Sequence, residues 1–269
     1  MTGFTIMSFL LNRIRGKRWD SFHSPYLFKL FSYMRNDREM AGSFSRIEAL
    51  RKKWQKNESI IISNDFGAGS IHSEKRESEK ISNIATLSLS YPFQCRCLAR
   101  LVHAENPDLI LELGTSLGIS TAYLQSGSAE AKVITVEGDR ELAMLAAQTF
   151  EQLGITQIQL VVSTFEEYFK NNQDDSKLDI VFLDGNHVST ALINYYEKLK
   201  ARFTPRTIVI IDDIYWSRDM HEGWKKLITM PEVTQSVDCF QFGVLFFRNE
   251  FFNKEHHVLR TPLKSVISR

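Results

Sequence analysis

From residue 109 onward the chain alternates short apolar runs with stretches in which apolar side chains recur at helical spacing. The runs at 109–113, 133–136, 158–162, 178–183 and 207–211 are nearly continuous in Leu, Ile, Val and Phe. A strand covered on both faces reads this way, so these are predicted strands of a parallel sheet. Between them, 122–126, 140–153, 166–170, 190–203 and 216–230 are predicted helices. In 140–153, Leu142, Leu145, Ala146 and Phe150 share one side, as a helix laid on a sheet requires. The ending differs. Segments 233–240 and 244–248 are separated only by Gln241, Phe242 and Gly243, which leaves no room for a crossover helix. They must pair antiparallel.

Upstream, 81–102 reads as one or two helices broken near Pro92. Residues 1–80 read as a mainly helical extension. Ser24 and Pro25 supply a cap and a first-turn proline ahead of an apolar helix, and 47–55 is a second helix rich in Arg and Lys. The apolar stretch 4–11 is too short to span a bilayer, and its basic flank (Arg13, Arg15, Lys17, Arg18) lies on the wrong side for a secretory signal. It is predicted to be an amphipathic helix packed on the body; a helix on a membrane surface is the alternative. Residues 60–62 lead into a glycine loop at 65–70, which covers the active site, holds a substrate group or is an exposed turn. The expected organisation is an extension at 1–80, an α/β domain at 81–250 and a tail at 251–269. The tail, with His256, His257, Arg260 and Lys264, reads as solvated surface.

A chain of 269 residues can bury a sizeable core. Lys and Arg number 33 against 32 Asp and Glu, which argues against a dedicated nucleic-acid binder. Cys95, Cys97 and Cys239 form no C-x-x-C pair, so a reducing, cytoplasmic setting with free thiols is expected.

The chemistry begins where the first strand of the α/β domain ends. Gly114 closes the strand, Gly118 is placed for close backbone approach to a ligand, and Ser120 and Thr121 stand at a helix start. Glu137 closes the next strand roughly 20 residues later, placed to accept hydrogen bonds from two ribose hydroxyls. The dinucleotide fingerprint G-x-G-x-x-G is not met, because Ser116 and Ile119 occupy its second and third glycine positions. Other strand ends carry Ser163-Thr164-Phe165, Asp184-Gly185-Asn186-His187 and Asp212-Asp213-Ile214-Tyr215-Trp216. Three carboxylates in one crevice repel one another. A divalent cation would resolve that conflict, with Mg²⁺, Mn²⁺ or Ca²⁺ suited to the oxygen donors. His187 is placed to take a proton from a substrate hydroxyl.

The spacing from Glu112 to Gly118, followed by Glu137, resembles motifs I and II of class I S-adenosylmethionine-dependent methyltransferases. The strand order and terminal hairpin resemble their Rossmann-like seven-stranded sheet, whose last strand is antiparallel. Asp184 and Asp212 resemble the acids of bacterial O-methyltransferases of the catechol O-methyltransferase type, which carry Asp-x-x-Lys after the fourth strand and Asp-Asn after the fifth. Here His187 replaces the Lys and Asp213 the Asn. The resemblance covers about 81–250. It implies S-adenosylmethionine at Glu112, Gly114, Thr115, Ser116, Gly118, Ser120, Glu137, Gly138, Thr164 and Asp184. It implies catalysis by His187 and Asp184, and a candidate cation at Asp184, Asp212 and Asp213.

The chain is therefore expected to methylate a hydroxyl on a small molecule, with Tyr215 and Trp216 walling the acceptor pocket and a homodimer as the assembly considered. Two alternatives stand: a methyltransferase of nucleic acid or protein, and a module that binds S-adenosylmethionine without turnover. Basic residues Arg46, Arg51, Lys52 and Lys53 on one face beside the cleft would favour a nucleic acid. The segment 183–186 is not the Asn-Pro-Pro-aromatic signature of base amino methylation.

Overall fold

The computed structural model describes residues 2–36, 38–64 and 76–262. The glycine loop at 65–70 and Lys264 lie outside the described residues. The helices are α1 (Gly3–Arg15), α2 (Pro25–Met34), α3 (Ser45–Trp54), α4 (Ile81–Leu87), α5 (Pro92–Glu105), α6 (Ile119–Gly127), α7 (Arg140–Leu153), α8 (Phe165–Asn171), α9 (Ser189–Leu199) and α10 (Arg218–Ile228). The strands are β1 (Ile60–Asn64), β2 (Arg76–Lys80), β3 (Leu109–Leu113), β4 (Lys132–Glu137), β5 (Ile158–Val162), β6 (Ile180–Leu183), β7 (Ile208–Asp212), β8 (Gln235–Asp238), β9 (Phe242–Phe246) and β10 (Glu255–Val258).

The main sheet runs β10-β8-β9-β7-β6-β3-β4-β5, while β1 and β2 form a separate antiparallel ribbon. Only β9 runs against its neighbours in the main sheet, pairing antiparallel with β7 and β8. Side chains alternate between the two faces as strand geometry dictates. Ile110, Val133, Ile180, Phe182, Ile208 and Ile210 pack on one side with Leu27, Leu30, Phe31 and Met34 of α2 and Leu98 and Leu101 of α5. Leu111, Leu113, Val181, Leu183, Val209 and Ile211 pack on the other with Leu192 and Tyr196 of α9 and Trp224 and Leu227 of α10. A third cluster joins α3 and α4 to α5 and α6 through Ile47, Trp54, Ile84, Cys95 and Tyr123.

The N-terminal segment thus shares its cores with the sheet. Ser24 caps α2 and Pro25 opens it, as the sequence predicts. Buried Arg100 of α5 holds the carbonyls of Met34 and Glu39. Arg248, after β9, pairs with Glu105 at 2.8 Å and lies 3.9 Å over the Tyr26 ring. No described helix is long and apolar enough to cross a membrane.

Two expectations are corrected. The main sheet has eight strands, not seven, because β10 adds to β8 in parallel. The tail is accordingly not all solvated surface: Leu259 and Thr261 are buried. The sequence Glu255-His256-His257-Val258 has no apolar alternation to announce a strand. It is held by the free edge of β8 and by side-chain partners, with Ser236 at 2.8 Å from His256 Nδ1 and Gln235 at 2.8 Å from His257 Nε2.

Candidate active site

Strand register alone assembles the site. Leu113 is level with Val136 and Leu183, and Leu183 with Ile211. The next residues, Gly114, Glu137, Asp184 and Asp212, therefore form one row along the carboxyl ends of β3, β4, β6 and β7, where open parallel sheets bind ligands.

Gly114 has φ +106°, and a Cβ built there would lie 1.8 Å from the Asp184 carbonyl oxygen. The turn can cross β6 only without a side chain. Gly118 has a different role from the expected ligand approach. A Cβ there would meet the Phe150 ring at 2.7 Å, so its bareness seats α6 against α7. Ser116 between them adopts φ +49°.

Glu112 is fully buried and does not reach a ligand. Its carboxylate accepts from Ser120 (2.8 Å), Thr121 and Thr135 (2.7 Å). Thr115 in turn lies 2.6 Å from Thr135. The cofactor contacts expected of Glu112, Thr115 and Ser120 side chains are thus replaced by a network that fixes the turn. Burial raises Glu112 to about 7 against the opposing hydroxyl bonds. A carboxyl whose folded pKa exceeds its ordinary 4.5 binds protons more tightly folded than unfolded, so stability falls as pH climbs from about 4.5 to 7. Glu112 alone is expected to contribute a loss of roughly 2–3 kcal/mol over that window. Denaturant unfolding at pH 5 and pH 8 should show a smaller drop for Glu112→Gln than for the native chain. An equal drop in both would remove Glu112 as the cause.

Glu137 closes β4. One oxygen accepts the Ser116 N–H at 2.8 Å and the other the Asp139 N–H at 2.9 Å. Each oxygen keeps a lone pair, so the carboxylate fits a ribose with two adjacent hydroxyls. Burial raises its pKa, and the two backbone donors oppose that. Gly138 follows, half-buried. Thr164 is spent as the cap of α8, accepting from Glu167 N at 3.2 Å. Its neighbour Phe165 covers Gly185.

Asp212 lies almost fully buried at the end of β7. It accepts from Asp213 N (2.8 Å), from Ser90 Oγ (3.1 Å) and from the Gln94 amide. Ser90 Oγ is also 3.4 Å from Asp184. Burial, then Asp213, pushes Asp212 up to about 6. Burial and the neighbouring Asp212 and Asp213 raise Asp184 well above the carboxylate range. Among the described residues no three His, Cys, Asp or Glu side chains are arranged to hold a metal ion. The residues present do not fit the expected cation at Asp184, Asp212 and Asp213: the three carboxylates are not gathered round one point, and Ser90 and Gln94 donate into Asp212 instead. Neither donor was expected from sequence. Their only local signal is a helix start at Pro92, upstream of the first strand of the α/β domain.

His187 follows β6, half-buried, with its Nδ1 enclosed and without a hydrogen-bond partner among the described residues. Its ring stands 5.5 Å from that of Trp216. Burial lowers its pKa, and the nearby Asp212 opposes that. Tyr215 turns away, donating to Asp238 at 2.7 Å and stacking on His221. Only Trp216 of the two expected aromatic walls thus faces His187. The basic residues form no single face beside this row. Arg51 is buried and donates to the Ser90 carbonyl, while Arg46 and Lys53 both reach Gln152 of α7.

Residues 111–214, from β3 to just past β7, match a family model described as a methyltransferase domain. No curated protein sequence matches the chain. A methyltransferase of Podospora anserina, solved with S-adenosylhomocysteine, superposes with TM-score 0.58 at 14% identity over 79% of this chain and 95% of its own. An O-methyltransferase of Bacillus cereus in complex with S-adenosylhomocysteine gives 0.54 at 16% over 81% and 99%. One from Streptomyces achromogenes involved in tomaymycin synthesis, in complex with S-adenosylmethionine, gives 0.53 at 18% over 60% and 82%. These likenesses show the fold. Residues 111–214 thus match a methyltransferase domain model, and the sheet around them has the fold of these methyltransferases.

Proposed function

We propose that the chain transfers the methyl group of S-adenosylmethionine to a hydroxyl oxygen of a small-molecule acceptor, with His187 as the base. The observation that carries this reading is the enclosed, unpartnered Nδ1 of His187, half-buried between Trp216 and the Asp212 end of β7. A lowered pKa keeps the imidazole neutral at pH 7 and able to accept a proton. The charge of Asp212 then favours the imidazolium that forms. Ser90 and Gln94 hold Asp212 in place.

When bound, S-adenosylmethionine supplies an electrophilic methyl group on a positively charged sulfur. Glu137 would hold its ribose, with Ser116, Gly138 and the Gly114 turn lining the rest, and Asp184 bordering the acceptor side. His187 would accept the proton that the acceptor oxygen loses as it takes that methyl group, the sulfur leaving as the neutral thioether. The names of the Bacillus cereus and Streptomyces achromogenes neighbours support oxygen as the acceptor atom. The scattered basic residues give no support to a nucleic-acid substrate.

Incubation with labelled S-adenosylmethionine and a panel of phenols, catechols and alcohols should transfer label to oxygen and release S-adenosylhomocysteine. Recovery of label only on nitrogen, on nucleic acid or on protein would overturn the acceptor assignment; binding without release would leave a non-catalytic module. Glu137→Ala should weaken S-adenosylhomocysteine binding in calorimetry by about 1–3 kcal/mol, because ribose hydroxyls would lose their acceptor. Unchanged affinity would remove Glu137 from the cofactor site.

A further inference from the structure

Helix α1 turns a mixed face inward, with the Phe4 ring against Tyr215 and His221 and the Phe9 ring against Phe240. Its buried residues are Ser8 and Asn12, and the Asn12 amide holds the Leu259 carbonyl and the Thr261 N–H, each at 2.9 Å. Ile6, Met7, Leu10, Leu11 and Ile14 face away from the protein, 40% to 75% exposed. At the helical turn of about 100° per residue they fill one arc opposite Ser8 and Asn12. Arg13 and Arg15 stand at the two borders of that arc, and Lys17 lies just beyond the helix; all three are exposed. Residues 1–19 hold no Asp or Glu, and Arg18 engages Asp20 at 2.7 Å. The helix packs on the body as expected, through Phe4, Ser8, Phe9 and Asn12, but a second and larger apolar arc is left facing outward.

We propose that α1 is an interfacial helix whose apolar arc enters the surface of an anionic lipid membrane, with Arg15 and Lys17 on the headgroups, Arg13 being held by the Thr261 carbonyl at 3.0 Å. Its 13 residues cannot cross a bilayer, and Asn12 fixes the helix flat against the protein. A lipid surface complements both features at once, the apolar arc and the unneutralised positive borders. A two-fold pairing of α1 with itself complements only the first, since it sets Arg13 and Arg15 of two copies along one seam with no acid on either helix. The helix also abuts the candidate site. Thr5 Oγ1 donates to the Tyr215 carbonyl at 3.2 Å, and the adjacent Trp216 packs on His187. A membrane docked on α1 lies beside that opening.

Vesicle co-sedimentation of the full chain tests this without reference to activity. Vesicles of phosphatidylcholine with about a third phosphatidylglycerol should bind the chain at least about tenfold better than phosphatidylcholine alone, and high salt should reduce the difference. The double variant Leu10→Glu and Ile14→Glu should lose at least about tenfold in binding with an unchanged melting temperature, because both side chains are solvent-facing. Arg15→Gln with Lys17→Gln should weaken binding to the anionic vesicles alone. Two results would overturn the proposal: no preference for anionic vesicles, or undiminished binding by the Leu10→Glu, Ile14→Glu variant. A dimer in light scattering that this variant dissolves, with no vesicle binding by the native chain, would assign the face to a second copy instead.

Discussion

His187→Ala is expected to lower methyl transfer by about 10²–10⁴-fold while leaving S-adenosylhomocysteine affinity nearly unchanged. The separation follows from the row of strand ends: His187 follows β6, whereas Glu137 closes β4. The pH dependence has a definite sign. A base works only when neutral, and burial lowers the His187 pKa below its ordinary 6.5. The rate should therefore rise with pH through a value below 6.5 and stay flat through neutrality, and His187→Ala should lose that inflection. Turnover is also expected to persist in chelator, because Asp212 already accepts from Asp213 N, Ser90 and Gln94. Full activity in His187→Ala would remove the base. Loss in chelator that Mg²⁺ restores would return the acids to a metal.

Gly114→Ala is expected to cost more than about 4 kcal/mol or to prevent folding. The added carbon would lie 1.8 Å from the Asp184 carbonyl oxygen and 2.7 Å from its carbon. Those are backbone atoms of the chain leaving β6, fixed by the Asp184 N–H to the Leu113 carbonyl at 2.8 Å. They cannot rotate aside as a side chain would, and φ +106° is strained for any L-residue besides. Gly154 is the control. Its φ is +70°, but nothing lies within 4 Å of a Cβ there, so Gly154→Ala should cost only about 1 kcal/mol. Thermal melts of the two variants read the contrast directly. Equal melting temperatures would show that β3 and β6 part more easily than their packing implies.

The strands and helices of the sheet were legible in sequence because burial on both faces demands continuous apolar runs, and a helix on a sheet demands one apolar side. Their ends were legible for the same reason: the residue that follows each run is Gly114, Glu137, Asp184 or Asp212, and register brings these four together. The hairpin of β8 and β9 followed from a connection too short for a helix. The glycine roles only half followed. A glycine in a turn signals close approach, but only packing shows that Gly114 yields to β6 and Gly118 to Phe150 rather than to a ligand.

What tertiary structure alone decided rests on pairings between distant parts of the chain. Ser90 and Gln94 reach Asp212 across more than a hundred residues, and nothing local marks a serine or glutamine as an acid's partner. Glu112 matches a motif position by spacing, yet three hydroxyls converge on it only once β3, β4 and α6 are packed. Strand β10 depends on the vacant edge of β8, which its own polar residues do not record. The side of α1 that turns inward was set by Asn12 meeting Leu259 and Thr261, and by Phe4 and Phe9 meeting the rings of Tyr215 and Phe240. Hydrophobic periodicity locates an apolar face but does not say whether the protein itself supplies the surface that covers it.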